Sequence, residues 1–289
     1  MIKDYSSTIE AIRKGLSDYL ISNKNIKAIV LGVSGGMDSA IVAAIAKPVC
    51  DKLNIPLIGR SLPIETNKPD ENERARNIGI EFCTNFAEHD LTTSYFNMKN
   101  LDDLDVNPVD ISETKFHKIK FGNMKARIRM IYMYNLAYKN RGIVLSTDNL
   151  TEYSLGFSTI MGDWGDFGMI QYLWKSEIYD LAEWICNNEL SGNAREALYS
   201  CIVCNATDGL GISNTDLDQL LPGWVGSSRD GYKKVDETLQ LWSSYHELGD
   251  MQKMTIKNSF KDNPVIKRHI NSDFKRKWPV TLKRDNILK

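Results

Sequence analysis

The sequence predicts an α/β fold, an open parallel sheet with helices on both faces, and three observations point to it. Residues 28–33 form a continuous apolar, β-rich run, the pattern of a strand buried on both faces, and residues 56–62 and 142–145 read as a second buried strand and a third. Helical stretches alternate with these runs, which argues for parallel rather than hairpin connections. The first run passes straight into Ser34-Gly35-Gly36-Met37-Asp38-Ser39, a glycine turn that opens onto a helix.

Each element can be justified in order. Residues 9–20 place Ile9, Ile12, Leu16, Tyr19 and Leu20 on one helical stripe. After the first strand, small residues from 40 to about 49 give a second helix, and residues 56–62 a second strand. Residues 65–76 read as a polar connection, followed by a short strand near residues 80–83. Residues 91–110 show little periodicity and read as a flexible excursion. Residues 121–138 form a long helix in which Met130, Ile131, Met133, Tyr134 and Ala137 interleave with Lys125, Arg127 and Arg129. Residues 142–145 supply a third strand, ending in Ser146-Thr147-Asp148-Asn149, and residues 176–186 another helix. With no repeat, low-complexity tract or linker, one domain over residues 1–289 is expected. Only the tail from about Lys257 is strongly basic.

A net charge of −1 over 289 residues gives no global attraction to nucleic acid or to a membrane surface. The opening residues lack an apolar core, and no run of about 18 apolar residues occurs. Five scattered cysteines, an odd number, suit free thiols in a reducing cytoplasm. Cys201 and Cys204 form a CxxC, but a zinc site would want two more ligands at motif spacing, and none stands nearby.

The chemistry concentrates at Gly32-Val33-Ser34-Gly35-Gly36-Met37-Asp38-Ser39. Gly35 and Gly36 let the backbone turn sharply and approach an anion without a Cβ in the way. Ser34 and Ser39 add hydroxyl donors, and the following helix aims its N-terminal amides and positive dipole end at the same spot. The loop lacks the Gly-Lys-Ser/Thr end of a Walker A motif and is not GxGxxG. Asp38 beside bound phosphate would be repelled unless a divalent cation stood between them, so it predicts Mg²⁺. The bland alternative is a flexible turn.

An SGGxDS loop after a strand resembles the fingerprint of the N-type ATP pyrophosphatases, and further segments resemble the NAD⁺ synthetases among them. The stretch from Phe121 through Asn123 and Arg127 to Met130 is similar to that family's GNxxARxRM. Val144 to Glu152, then Gly156 to Asp163, are similar to its GTxNxxE and GYxTKYGD stretches. Leu210-Gly211-Ile212-Ser213 and Ser272-Asp273-Phe274-Lys275-Arg276 resemble two later motifs. The resemblance implies a Rossmann-like fold of the adenine nucleotide alpha hydrolase type. It implies Asp38 and Glu152 as Mg²⁺ ligands, and loop 32–39, Thr147 and Lys175 at ATP. Asp38 and Lys175 would carry the catalysis, and Asn123, Arg127, Asp166 and Lys275 would lie toward deamido-NAD⁺. It further implies ammonia as nitrogen donor, a homodimer, and no glutaminase domain, since only residues 1–27 precede the first strand. Read without the family, Arg127 and Arg129 on the helix's N-terminal half could hold phosphate or carboxylate groups, the alternative being a solvated face.

The chain departs from the family pattern at Ile160, where a lysine is usual, and at Phe274, where a histidine is usual. Met169, residues 197–201 and residues 206–209 also differ. No Ser-His-Asp or Cys-His set is present, and His89, His117, His246 and His269 fall outside the motifs, as an acyl-adenylate route requires no side-chain nucleophile. Two other functions share the loop: an ATP pyrophosphatase with a different acceptor, and a nucleotide-binding homologue without catalysis.

Overall fold

Strand β1 (Ala28–Gly32) lies at the centre of a five-stranded sheet ordered β3-β2-β1-β4-β5, with β2 (Leu57–Ser61), β3 (Asn85–Glu88), β4 (Gly142–Ser146) and β5 (Phe167–Gly168). Every pairing is parallel. The computed structural model describes residues 2–65, 67–104, 115–206, 215–244 and 260–279.

Alternation along β1 explains why its whole run is apolar. Ile29, Leu31 and Val33 enter the larger core, while Ala28 and Val30 face the other side of the sheet with Val144, Met133 and Ala137. The larger core is closed by α1 (Tyr5–Ser22), α2 (Met37–Leu53), α3 (Pro69–Phe82), α7 (Lys175–Asn188) and α8 (Gly192–Val203). The opposite face is covered by α5 (Lys115–Lys139), whose Met133 and Ala137 are buried against β1 and β4. The fold class expected from the sequence is therefore the one observed. The remaining helical segments are α4 (Thr92–Leu104), α6 (Leu150–Leu155), α9 (Leu217–Leu220), α10 (Ser228–Ser243), α11 (Pro264–Asn271) and α12 (Asp273–Arg276).

Three local expectations are corrected. The polar stretch at 65–76 belongs largely to α3, which opens with Pro69 at its first turn and a Glu71 carboxylate reaching back to the Lys68 N–H at 3.3 Å. Its buried stripe is thin, consisting of Ala75, Ile78, Gly79 and Phe82, so polar residues dominate its composition. The apolar residues near 80–83 are the last turn of this helix, and the strand comes later as β3, a half-exposed edge. Residues 92–104 are helical rather than irregular, with Tyr95 buried. Residues 105–110, the Leu210-Gly211-Ile212-Ser213 motif, and residues 257–259 and 280–289 of the basic tail lie outside the described residues. The second helix starts at Met37, earlier than expected, because Gly36 is extended and caps it.

Candidate active site

The order β3-β2-β1-β4-β5 reverses direction between β1 and β4. In open α/β sheets, ligands bind outside the carboxyl ends of the strands at such a switch point. A cavity of about 620 Å³ opens there, and the whole 32–39 loop lines it. Asn123, Thr147, Glu152, Lys175 and Lys275 line it as well. Arg127 and Asp166 do not.

Loop conformation follows from its residues. Gly35 has φ +79°, and a Cβ there would meet the Glu71 carbonyl oxygen at 2.2 Å. Only glycine fits, and α3 can therefore pack directly on the turn. The Gly35 carbonyl is held from two sides, accepting from Arg74 Nε at 3.0 Å and from the Cys201 thiol at 3.5 Å. Ser34 and Ser39 hydroxyls lie 3.1 Å apart, and Ser39 Oγ also accepts from the Ser34 N–H at 3.2 Å. The CxxC is thus absorbed into the walls of this turn. Burial pushes the Cys201 thiol up to about 12, so it is a poor nucleophile there.

Beyond the loop, three charged side chains from three elements meet. Lys175 Nζ donates to Asp38 Oδ2 and, at 3.0 Å, to Glu152 Oε1. Asn149 organises the carboxylates: its Oδ1 caps α6 by accepting from the Glu152 N–H at 2.9 Å, while its Nδ2 donates to Asp38 Oδ1 at 2.9 Å. Burial pushes the Glu152 carboxyl up to about 8, reinforced by the Asp38 charge. Burial also works against the Lys175 charge, yet Asp38 and Glu152 outweigh it and hold its pKa well above the ordinary value. One ammonium between two carboxylates occupies the kind of place a divalent cation takes. This two-carboxylate donor set suits Mg²⁺, which binds through one or two carboxylates with phosphate oxygens and water completing its shell.

Two buried acids and Arg74 carry no role in the sequence reading, and Arg129 appears there only paired with Arg127. Asp148 accepts from Ser146 Oγ at 2.8 Å, and burial, with the Asp163 charge, pushes it up to about 7. Asp163 is likewise raised by burial, and its carboxylate takes the Thr159 N–H. Arg129 lines the cavity and fixes its rim, donating to the Leu62 carbonyl at 2.9 Å and to Asn67 Oδ1 at 3.1 Å. Arg74 was hidden because its helix was not recognised. Arg129 was visible beside Arg127, but residues two apart on a helix point in different directions, so the pair could not serve one site.

The acceptor-side residues separate in the same way. Asn123 Oδ1 accepts from Thr159 Oγ1 at 2.8 Å, and Lys275 Nζ ties the Gly156 carbonyl at 2.8 Å and the Ser158 carbonyl at 2.5 Å. Asp166 instead pairs with the edge of β4, accepting from the Val144 N–H at 2.8 Å. Arg127 points outward, where its Nε donates to the Ile160 carbonyl at 3.2 Å. Ile160 thus contributes its backbone here, and Phe274 is 60% exposed.

The parallel sheet, with the glycine loop at its switch point, defines an adenine nucleotide alpha hydrolase-like fold. The chain matches the NAD synthase family over residues 8–279 and belongs to that family. It is 29% identical over 251 residues to an NH₃-dependent NAD⁺ synthetase of Mycoplasma pneumoniae, covering 86% of this chain and 94% of that one. Its fold resembles that of an NMN synthetase from Francisella tularensis, with TM-score 0.72, 21% identity, and 98% and 100% of the two chains covered. It also resembles an NH₃-dependent NAD synthetase from Campylobacter jejuni, with TM-score 0.64, 20% identity and the same coverage.

Proposed function

We propose that this cavity carries out the ATP-dependent amidation of deamido-NAD⁺ to NAD⁺, with ammonia as nitrogen donor and AMP and pyrophosphate released. As a member of the NAD synthase family the chain is a ligase forming a C–N bond, with ATP as co-substrate and Mg²⁺ as its metal. The observation that supports the site assignment is the convergence of the glycine loop and the Asp38–Lys175–Glu152 cluster in one cavity at the sheet switch point.

A nicotinate oxygen attacks the α-phosphorus of ATP, a bond to phosphorus forms, and the bond to the bridging oxygen of pyrophosphate breaks. The amides of Gly35 and Gly36, the start of α2 and the hydroxyls of Ser34 and Ser39 hold the departing phosphates. Asp38 and Glu152 would hold Mg²⁺, which when bound supplies positive charge against the leaving pyrophosphate. Lys175 adds a second cation at the phosphates, and Thr147 borders the nucleotide. Ammonia then attacks the carbonyl of the acyl adenylate, AMP leaves with the C–O bond electrons, and a proton is lost from nitrogen. Asn123 and Lys275 shape the acceptor end of the cavity.

Arg127 and Asp166 fit this scheme only if the acceptor site extends to the outer face of α5. Arg127 shares a stripe of that helix with exposed Ile131, Tyr134 and Tyr138. Asp166 neighbours the same stripe, since its charge raises the Tyr134 hydroxyl after burial. This supports a homodimer in which a second copy completes the acceptor site. A reducing cytoplasm suits the scattered thiols. The chain also corresponds to a single synthetase domain using free ammonia.

Incubating the protein with ATP, Mg²⁺, ammonium and deamido-NAD⁺ should yield AMP and NAD⁺ in equal amounts, and glutamine should not replace ammonium. AMP formation with nicotinate mononucleotide but never with deamido-NAD⁺ would move the acceptor to the mononucleotide. Absence of AMP with either would overturn the reading.

A further inference from the structure

Asp236 lies on α10, outside every motif and outside the cavity lining, yet it is 1% exposed and its carboxylate is fully engaged. Its Oδ1 accepts from the Thr151 hydroxyl at 2.5 Å, and its Oδ2 accepts from the Ser176 N–H at 2.8 Å. The Thr151 hydroxyl in turn accepts from the Lys175 N–H at 2.8 Å. The first N–H groups of a helix have no partner within it. Here two of those at the start of α7 are capped by residues of α6 and α10. An anion is the favoured cap at the positive end of a helix dipole.

We infer that Asp236 is the positioning residue for the phosphate-facing pair of this site. Lys175 is the first residue of α7, so capping that terminus sets where its ammonium emerges. Thr151 immediately precedes Glu152, so the same carboxylate, acting through the Thr151 hydroxyl, sets the turn of α6 that carries Glu152. The Leu150 N–H also donates to the Leu173 carbonyl at 2.9 Å and ties the two segments together. Hydrogen-bond bookkeeping explains the choice of residue. An aspartate can accept both the Thr151 hydroxyl and the Ser176 amide, which leaves a Thr151 lone pair for the Lys175 amide. An asparagine accepts with only one of its two terminal atoms: with its oxygen on the Ser176 amide, its NH₂ can only donate to Thr151, which leaves the Thr151 O–H without its buried acceptor.

This inference rests on Lys175 and Glu152 acting at the ATP phosphates. Supporting partners of this kind change affinity or activity about 10–100-fold when altered. Asp236→Asn should therefore weaken equilibrium ATP binding in the presence of Mg²⁺ by about tenfold or more, measured by calorimetry. The KM for deamido-NAD⁺ should stay within about twofold, because the Lys275 end of the cavity is untouched. Thr151→Val should produce the same defect, and Thr151→Ser, which keeps the hydroxyl, should restore it. Because the two residues act as one chain of bonds, the double variant Thr151→Val/Asp236→Asn should be no worse than either single one. Unchanged ATP affinity in Asp236→Asn would overturn the inference, as would losses that multiply in the double variant. A uniform fall in active fraction with every constant unchanged would do the same. If Asp236→Asn does not fold, the contrast between Thr151→Val and Thr151→Ser decides alone. Lys175→Ala serves as the reference: if it too leaves ATP binding unchanged, the site reading has failed rather than the role of Asp236.

Discussion

Lys175 Nζ stands 3.0 Å from Glu152 Oε1, and the same ammonium donates to Asp38, with the lysine side chain only 4% exposed. One cation therefore bridges two carboxylates, offsetting half the charge that a divalent Mg²⁺ would offset in the same place. Removing one partner of a buried ion pair leaves uncompensated charge and costs about 3–5 kcal/mol. Lys175→Met should lower the melting temperature in the absence of metal, and added Mg²⁺ should restore more of it than it adds to the parent protein. Identical melting of the two proteins with and without Mg²⁺ would show that the ammonium does not stand in for a metal.

Asp38 is the residue whose charge the mechanism can least lose. Asp38→Asn keeps the volume and a hydrogen-bonding group facing Asn149, so folding should survive. AMP release should fall at least about 100-fold, the scale of losing a group that acts on transition-state charge. Near-normal turnover in a rapid-quench assay would remove Asp38 from the metal assignment.

Gly35 tests the loop itself. Alanine there must adopt φ +79° and pushes a methyl against the Glu71 carbonyl, which belongs to backbone and cannot simply rotate away. Strain at such a position costs about 1–3 kcal/mol before any clash. Gly35→Ala should raise the KM for ATP by at least about tenfold, the equivalent of 1.4 kcal/mol. An unaltered KM for ATP, measured alongside an unaltered melting temperature, would mean that the turn is not held against α3 as described.

Much of this arrangement was legible because parallel strands buried on both faces announce themselves as unbroken apolar runs. That holds best for β1, whereas Arg60 and Ser61 interrupt the apolar start of β2, and the glycine loop after β1 carries its chemistry in six adjacent residues. β3 failed the same reading because it is an edge strand, Asn85–Glu88, with little to bury. α3 failed because three apolar side chains and a glycine suffice to seat it, leaving a composition that looks like a loop. Arg74 and Asp236 were invisible for a different reason. Each acts through a backbone amide or carbonyl brought near by folding, and no local pattern encodes such a partner.

Asp148 makes stability depend on pH with a definite sign. Its carboxyl is raised from 3.8 to about 7 by burial and by the Asp163 charge, so between those values the folded state binds a proton that the unfolded chain has released. This contribution is fully present below about pH 4 and is lost as pH rises through about 7. With one unit equivalent to about 1.4 kcal/mol, the loss is at most about 4 kcal/mol. Asp148→Asn cannot ionise, so without ATP it should gain on the parent protein from about pH 4 to pH 7 and hold that gain at higher pH in denaturant melts. Parallel stability curves across that range would remove the buried-acid interpretation.

The last test concerns the outer face of α5. Ile131 is 58% exposed, Tyr134 41% and Tyr138 88%, and with Arg127 they fall at spacings of four, three and four, a single helical stripe. Met161, next to the Ile160 carbonyl that receives the Arg127 guanidinium, is 70% exposed and extends the patch. A continuous apolar and aromatic surface with an arginine at its end has the composition of an interface rather than of a solvated helix. It is also the surface beside which both Arg127 and Asp166 lie, although neither reaches the cavity of one chain. Sedimentation at micromolar concentration should give a species of twice 32.8 kDa. Ile131→Glu combined with Tyr138→Glu should break it into monomers by forcing two carboxylates into the contact. Those monomers should still bind ATP with nearly the parent affinity, because loop 32–39 and Lys175 lie on the other side of α5. They should lose most of their use of deamido-NAD⁺, since the acceptor site would be left half built. A 32.8 kDa species with full activity would sink the shared site and return Arg127 to the role of an ordinary surface cation.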